Sequence, residues 1–206
     1  ISINPQTTND EVLKTIGRKH TAQQFFDAFE LARKCGFDNI NTDLIAGLPT
    51  DTPESFKNSL DSIVRLNAEC ITVHTLCMKR ASRLTTEGVT LDLQQARDAR
   101  EMLAYTQNIL GQNEYIPYYM YRQSRMVGNL ENVGWSKRGF ESLYNVYVMD
   151  ETHTILACGS GGVTKLKRNN PDYLERIFNF KYPYEYIDRF DELIQRKSGI
   201  LQFYGQ

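Results

Sequence analysis

Along the first part of the chain, hydrophobic residues recur at the spacing of a helix in some segments and of a strand in others. Helical spacing covers residues 9–16, 21–35 and 52–64, and strand spacing covers residues 1–4, 40–46 and 70–76. Helices and strands that alternate at this length are typical of parallel β/α units. The pattern therefore predicts an α/β fold with several strands of an open or closed parallel barrel.

Start and stop signals frame the predicted helices. Thr52, Pro53 and Glu54 supply an N-cap, a first-turn proline and a first-turn acid. Thr21 can cap the preceding helix, and Gly36 stands where a left-handed residue should end it. These local signals place the helix boundaries independently of the hydrophobic pattern.

Beyond the strand at 70–76 the pattern changes. The prediction is a loop at 79–90, a long helix capped by Asp92 and ended by Gly111, an aromatic strand at 115–121, a hairpin of 144–149 with 152–158, and an amphipathic helix at 183–197. We place the domain boundary in the loop. The predicted domains are residues 1–85, the barrel part, and residues 86–206, a mixed α+β domain.

Composition excludes some classes of partner. The 206 residues carry a net charge of −1, which gives no electrostatic reason to expect nucleic acid. No apolar run is long enough to span a bilayer and no signal peptide opens the chain, so no membrane partner is expected. The four cysteines are scattered, which favours the reducing cytoplasm.

The chain begins at Ile1, without an initiator Met, inside a strand-like alternation. This pattern favours an incomplete chain, although a chain trimmed at a natural boundary has the same appearance. Open strand edges left by missing barrel strands also predict homo-association through the exposed barrel edge.

A motif in the predicted barrel carries a resemblance. The run Thr42–Pro49 (TDLIAGLP), followed by Thr52–Phe56 (TPESF), closely resembles the signature of the oxygen-independent coproporphyrinogen III oxidase family of radical S-adenosylmethionine (SAM) proteins. Residues 2–6, 16–18, 131–134 and 157–162 are similar to other parts of that family. The pattern is most similar to the coproporphyrinogen dehydrogenase subgroup. The resemblance implies the second half of a partial TIM-like barrel followed by the family's C-terminal domain.

Three polar residues fall at the separations of the family's SAM contacts. By resemblance, Asp43 accepts the ribose hydroxyls, Gln6 contacts the ribose or the methionine end, and Arg18 pairs with the SAM carboxylate. Asp43 also lies near the carboxyl end of its strand, where barrels place their ligands. The alternatives are an aspartate held by local turn donors, a polar strand residue and a solvated cation at a helix end.

The end of the next predicted strand supplies three further candidates. His74, Thr75 and Leu76 should face the same rim, where backbone groups can read an adenine edge. His74 alone is weak evidence, because a lone strand histidine is more often a core residue than a catalyst. His20 and His153 are assigned no function, and no histidines or carboxylates stand at metal-ligand spacing.

Two later segments permit a functional and a structural interpretation. Tyr115–Tyr121, with Arg122 and Arg125, can form a wall for a flat tetrapyrrole, or simply a half-buried strand. Gly159–Gly162 lacks the phosphate-loop pattern and is more consistent with a tight turn.

The cofactors are implied by the resemblance alone. They are SAM and a [4Fe–4S] cluster, whose usual C-x₃-C-x₂-C ligand motif is absent from this sequence. Cys70 and Cys77 have six residues between them on a predicted strand and cannot replace it. In the family, the cluster loop precedes the position that corresponds to Ile1. We therefore predict that this chain alone does not cleave SAM.

The reaction implied by the resemblance is oxidative decarboxylation. With one electron from the reduced cluster, SAM yields methionine and a 5′-deoxyadenosyl radical, which abstracts hydrogen from a propionate of coproporphyrinogen III. Loss of CO₂ and of one electron from the substrate radical leaves a vinyl group. The electron donor stays open. Alternatives are a haem-binding or haem-delivery relative, another radical SAM reaction such as methyl transfer, and an assembly module without catalysis.

Overall fold

The computed structural model of the protein describes residues 1–77, 93–122, 126–169 and 172–205. Contacts divide the chain into two compact units, Ile1–Glu141 and Ser142–Gln206. The loop predicted at 79–90 and the cap predicted at Asp92 lie outside the described residues.

The first unit is built on a four-stranded mixed sheet in the order β1-β2-β4-β3. Its elements are α1 (Asp10–Thr15), α2 (Ala22–Lys34), β1 (Asn41–Ala46), α3 (Pro53–Arg65), β2 (Cys70–Thr75), α4 (Leu93–Gln112), β3 (Ile116–Tyr121), a 3₁₀ turn (Val127–Asn129) and β4 (Asn132–Ser136). Strands β1 and β2 are parallel, and β4 runs antiparallel to both β2 and β3. Residues 2 and 6 extend the sheet through parallel bridges to β1. The predicted α/β class is confirmed.

The compact unit extends past the boundary that the sequence suggested at residues 85 and 86. Strands β3 and β4 follow that boundary in the chain, yet β4 pairs directly with β2. The contacts therefore divide the chain at Glu141 and Ser142. A pairing between strands so far apart in sequence leaves no trace in local periodicity.

The helix caps predicted from the sequence are present. Thr21 forms a reciprocal capping box with Gln24 at the start of α2. The side chain of Thr52 accepts a hydrogen bond from the N–H of Ser55, with Pro53 as the first residue of α3. After α2, Gly36 takes φ +88°, a left-handed conformation that glycine adopts without steric cost.

The core lies between the helices and one face of the sheet. Its fully buried members include Leu44 on β1, Phe56 and Leu60 on α3, Ile71 on β2 and Met102 on α4. Burying a side chain of this size stabilises the fold by about 1.5–3 kcal/mol. Because alternate strand residues point to opposite faces, the other face of β1 and β2 is left to polar residues.

Glu69 ties the edge of this core together. It is 8% exposed, and its carboxylate accepts hydrogen bonds from the Arg33 guanidinium at 2.8 and 2.9 Å and from the backbone N–H of Ile40 at 3.0 Å. One carboxylate thus links α2, the entry to β1 and the entry to β2.

We expect Glu69→Ala to lower the free energy of unfolding by about 2–3 kcal/mol, because it leaves the buried Ile40 N–H without an acceptor and the Arg33 guanidinium without its carboxylate partner. Urea denaturation followed by circular dichroism measures the loss. The matched control is Glu30→Ala, which removes an exposed i,i+4 pair with Lys34 and should leave the urea midpoint unchanged. Equal midpoints for both variants would contradict the anchoring role.

The second unit contains helix α5 (Leu143–Asp150), strands β5 (Val163–Asn169) and β6 (Asp172–Phe178), and helices α6 (Pro183–Asp188), α7 (Phe190–Lys197) and α8 (Gly199–Tyr204). The two strands form an antiparallel hairpin. The amphipathic helix predicted at 183–197 is present but is interrupted at Arg189, where φ is −113°. At Gly159–Gly162 the chain makes a tight turn with φ +88° at Gly159 and +72° at Gly161, as predicted.

The hairpin predicted at 144–158 is wrong. Its first half is helix α5, capped by the Ser142 side chain and ended by Glu151 at φ +51°. Lys165 donates to the carbonyl of Val148 at 3.2 Å and to Glu151 at 2.7 Å, which satisfies the helix end. These caps outweigh the strand preference of the tyrosine- and valine-rich segment.

None of the helices in the described ranges is both long enough and apolar enough to cross a bilayer.

Candidate functional site

The sheet face opposite the helices of the first unit is polar. Strand alternation and register place one set of side chains on this face: Asn41, Asp43, Thr72, His74, Asn132, Gly134, Tyr119 and Tyr121. Asp43 lies beside Thr72, Thr72 beside Gly134, and Gly134 beside Tyr119 across the strands. Residues from all four strands therefore meet on one surface.

Asp43 is at the centre of this surface. Its Oδ1 accepts a hydrogen bond from Asn41 Nδ2 at 2.7 Å, and its Oδ2 lies 3.4 Å from His74 Nε2. The Asp43 side chain is 19% exposed. Oδ1 has one protein donor, Oδ2 has one protein contact, and both keep capacity to accept further hydrogen bonds. The group is therefore oriented by the protein and remains accessible to the hydroxyls of a ligand.

Hydrogen bonds continue outward from Asp43 on both sides. On one side Thr72 Oγ1 donates to Asn41 Oδ1 at 3.2 Å, and the Tyr119 hydroxyl lies 3.1 Å from Thr72 Oγ1. On the other side the Tyr121 hydroxyl lies 3.2 Å from His74 Nδ1. These hydrogen bonds and the 3.4 Å contact between Asp43 and His74 form one chain of contacts from Tyr119 to Tyr121, which we call the Asp43 arc.

The two tyrosines that end the Asp43 arc stand side by side. Their ring centroids are 6.3 Å apart and their planes differ by 9°. Gly134 provides the space, because a Cβ at this position would lie 1.8 Å from Tyr119 Cε1. A glycine at 134 is therefore a steric requirement of the site.

Both tyrosines keep their protons at neutral pH. Burial raises the pKa of Tyr119 well above its usual value, and the nearby Asp43 carboxylate acts in the same direction. Burial likewise raises the pKa of Tyr121, again with a contribution from Asp43. Each hydroxyl can therefore act as a hydrogen-bond donor.

Gln6 is adjacent to Asp43 through the backbone. Its N–H donates to the Asp43 carbonyl at 3.0 Å, and its own carbonyl accepts from the Ile45 N–H at 2.9 Å. Its φ is +70°, an uncommon conformation for a residue with a side chain. The two bonds to β1 hold the chain in this conformation and fix Gln6 next to Asp43.

Arg18 follows helix α1 and is exposed. Its backbone N–H donates to the carbonyl of Leu13 at 2.9 Å. Among the described residues its guanidinium has neither a hydrogen bond nor an ion pair. Arg18 is therefore available for an anionic ligand, and its assignment to SAM stays a prediction.

Thr75 and Leu76 differ from His74 in their surroundings. The N–H of Thr75 donates to Asn132 Oδ1 at 2.7 Å and that of Leu76 to the carbonyl of Ala46 at 2.9 Å. Both side chains are buried, Leu76 in a small cluster with Leu48. Their N–H groups are thus engaged within the protein, and the Leu76 carbonyl already accepts from the N–H of Val127 at 3.0 Å. An adenine edge at this strand end would therefore meet carbonyl oxygens, with one lone pair of the Leu76 carbonyl already used.

Asn41 and Thr72, which connect the Asp43 arc, were not predicted as site residues from the sequence. A signal was present, because Asn41 stands two residues before Asp43 and Thr72 two before His74. Residues two apart on a strand share a face. His20, assigned no function, is held by the carbonyl of Pro5 at 3.2 Å.

The proposed aromatic wall is divided between the two faces of the sheet. Tyr119 and Tyr121 belong to the Asp43 arc, whereas Tyr118, Met120 and Arg122 line a cleft of about 730 Å³ beside α4, which Tyr119 also borders. Arg122 is paired with Glu131 at 2.7 Å. Arg125 lies outside the described residues. One continuous wall over a tetrapyrrole is therefore not formed by this strand.

The described side chains differ in how well they fit the two expected cofactors, SAM and an iron–sulfur cluster. Asp43 is the third of the six residues of β1, not near its carboxyl end as the sequence suggested. Its carboxylate nevertheless has free acceptor capacity on the exposed polar face, which suits the neighbouring hydroxyls of a ribose. The four cysteines are free thiols, and within the described ranges no three His, Cys, Asp or Glu side chains converge. These residues therefore fit SAM but do not supply the ligands of an iron–sulfur cluster.

Comparison with known proteins gives consistent matches. The family model described as the radical SAM superfamily matches residues 1–63. The chain is 38% identical over 202 residues to the oxygen-independent coproporphyrinogen-III oxidase-like protein HemZ of Bacillus subtilis. This alignment covers 98% of this chain and 40% of HemZ. It is 32% identical over 179 residues to the heme chaperone HemW of Lactococcus lactis, covering 82% of this chain and 43% of HemW.

A solved structure shows a similar fold. Coproporphyrinogen III oxidase (HemN) from Escherichia coli, described as a radical SAM enzyme, superposes with a TM-score of 0.65 at 20% identity. The match covers 93% of this chain and 43% of HemN. The chain thus spans less than half the length of each of these relatives.

Proposed function

Because this chain belongs to the oxygen-independent coproporphyrinogen III oxidase-like family of radical SAM proteins, we propose that it supplies part of the SAM site of a haem-biosynthesis oxidoreductase. The complete protein would convert propionate groups of coproporphyrinogen III to vinyl groups by oxidative decarboxylation. We place this reaction in the cytoplasm, with no nucleic-acid or membrane partner, and homo-association through an open strand edge remains part of the proposal.

The proposal rests on the orientation and the exposure of the Asp43 carboxylate. The matched family segment includes this residue, and its carboxylate is oriented by Asn41 and His74 while 19% of the side chain is exposed. An ionised carboxylate can accept hydrogen bonds from both hydroxyls of a ribose. Its contacts with these two residues reduce the reorganisation that binding would otherwise require.

The neighbouring residues have proposed roles consistent with their positions. Gln6, fixed beside Asp43 by the backbone, would contact the ribose or the methionine end of SAM. The exposed guanidinium of Arg18 would pair with the SAM carboxylate in a bidentate contact. Thr75 and Leu76 would contact the adenine through backbone oxygens.

The cofactor brings the difficult chemistry. Bound to a reduced [4Fe–4S] cluster, SAM supplies the hydrogen-abstracting group that the decarboxylation needs. The described residues provide binding, orientation and electrostatics at the ribose. The cluster ligands, the electron donor and the tetrapyrrole contacts are assigned to no residue described above.

The alternative is a haem-handling protein that shares the SAM scaffold without decarboxylating a substrate. The similarity to the heme chaperone HemW of Lactococcus lactis over 82% of the chain supports this alternative. An assembly module is a weaker alternative, since it gives no reason for an oriented and accessible carboxylate.

A product assay on the complete protein separates these functions. The protein would be purified without oxygen, reconstituted with iron and sulfide, and incubated with reductant, SAM and coproporphyrinogen III. We expect 5′-deoxyadenosine and decarboxylated porphyrinogen by mass spectrometry. Deoxyadenosine without decarboxylation would retain the SAM site and exclude the substrate. Stable haem binding with neither product would favour the haem-handling alternative.

A further inference from the structure

The directions of the hydrogen bonds in the Asp43 arc follow from counting donors. Asn41 Nδ2 donates to Asp43, so Asn41 Oδ1 is the acceptor that faces Thr72. Thr72 has a single hydroxyl proton and donates it to Asn41. The Tyr119 hydroxyl, 3.1 Å away, must therefore donate to Thr72.

The other side of the arc obeys the same rule. The 3.4 Å contact between His74 Nε2 and Asp43 Oδ2 joins a nitrogen to an ionised oxygen, so it is favourable only if Nε2 carries a proton. In the neutral imidazole Nδ1 is then an acceptor, and the Tyr121 hydroxyl donates to it at 3.2 Å. Donors thus point from both tyrosines towards the single carboxylate.

We propose that His74 is a positioning residue, which holds Asp43 Oδ2 through a proton on Nε2, and that Tyr121 selects this tautomer. The ligand whose binding it would support is a ribose diol, so this inference rests on the proposed function. The aspartate would then be oriented before the ligand arrives. Tyr121 would act through His74, without contacting the diol.

Partial burial makes this arrangement consequential. The side chains of His74 and Asp43 are 25% and 19% exposed, so neither is free to turn as a surface residue is. The ring of Tyr121 lies edge-on to His74 with centroids 6.3 Å apart, which restricts the imidazole further. The attraction between a proton on Nε2 and the Asp43 carboxylate is stronger in such surroundings than between fully solvated groups.

The first test reads the proton on His74 directly. Long-range ¹H–¹⁵N spectra of the complete protein without ligand distinguish a protonated Nε2 from a bare one. We expect Nε2 to be protonated in the wild type, and a mixture of tautomers in Tyr121→Phe. A bare Nε2 in the wild type would overturn the proposal.

The second test measures binding of S-adenosylhomocysteine, which carries the same ribose as SAM, by calorimetry. His74→Phe keeps a ring but removes the donor, and should weaken binding about tenfold. His74→Gln keeps an amide donor near the Nε2 position, and should bind within about threefold of the wild type. Equal affinity for His74→Phe and the wild type would overturn the proposal, as would a tenfold loss shared by the Gln variant.

These tests distinguish failure of the proposed function from failure of the positioning role of His74. A wild-type protein that does not bind S-adenosylhomocysteine would exclude the proposed function. The nitrogen spectra would still decide whether His74 holds Asp43, since they need no ligand. Circular dichroism confirms that each variant is folded.

Discussion

Replacing Asp43 by alanine is expected to weaken binding of SAM by the complete protein at least about 100-fold, because two charge-assisted hydrogen bonds to the ribose would be lost. Formation of 5′-deoxyadenosine should fall with it. The residue is not part of the apolar core, so the variant should remain folded. Equilibrium dialysis with labelled SAM measures the first effect and chromatography the second.

Two control variants separate a specific effect of Asp43 from a general effect of removing a carboxylate. Asp38→Ala removes an exposed carboxylate from the same unit and should leave SAM binding unchanged. Asp43→Asn keeps the shape of the side chain without its charge, and should give an intermediate loss. A folded Asp43→Ala variant that binds SAM as tightly as the wild type would exclude Asp43 from the cofactor site.

Gly134→Ala is expected to lower the free energy of unfolding by about 2–3 kcal/mol, the cost of overpacking a filled site. The new methyl group would lie 1.8 Å from Tyr119 Cε1, so the tyrosine ring must turn away. Turning the ring breaks the 3.1 Å contact between Tyr119 and Thr72. Chemical denaturation measures the stability, and tyrosine fluorescence reports the displaced ring.

Two further variants separate steric conflict from a general effect of glycine replacement. Gly111→Ala lies in helix α4 with nothing within 4 Å of its new Cβ, and should raise stability by up to about 1 kcal/mol. In a Tyr119→Ala background the cost of Gly134→Ala should largely disappear. Additive losses in the double variant would mean that Gly134 does not serve the tyrosine.

Local signals made much of the fold predictable. Thr21, Gly36 and Thr52 mark helix ends through contacts made within a few residues, and the structure has each of them. Helix α5 was missed because its stability depends on Lys165, which reaches the helix end from another element. The pairing of β2 with β4 was missed for the same reason. Tertiary contacts decide such elements, and local patterns do not contain them.

The candidate site was predictable only in part. Asp43 was identified from its motif, and its position on an accessible polar surface agrees with that interpretation, although it lies further from the carboxyl end of its strand than expected. The role of Tyr119 required the register that sets it against Gly134, which no spacing in the sequence reveals. Whether Gln6 and Arg18 contact SAM stays a prediction, although the backbone of Gln6 is already fixed beside Asp43.

The two faces of β1 have a consequence for how such a protein can change over evolutionary time. Thr42, Leu44 and Ala46 face the core, whereas Asn41 and Asp43 face the polar surface. Tolerance to substitution along this strand should therefore alternate with a period of two residues. Selection for stable folding limits mutations at the core-facing positions, whereas selection for ligand binding limits those on the polar surface. A lineage can thus acquire a new ligand on one side of the strand while the other side preserves the scaffold.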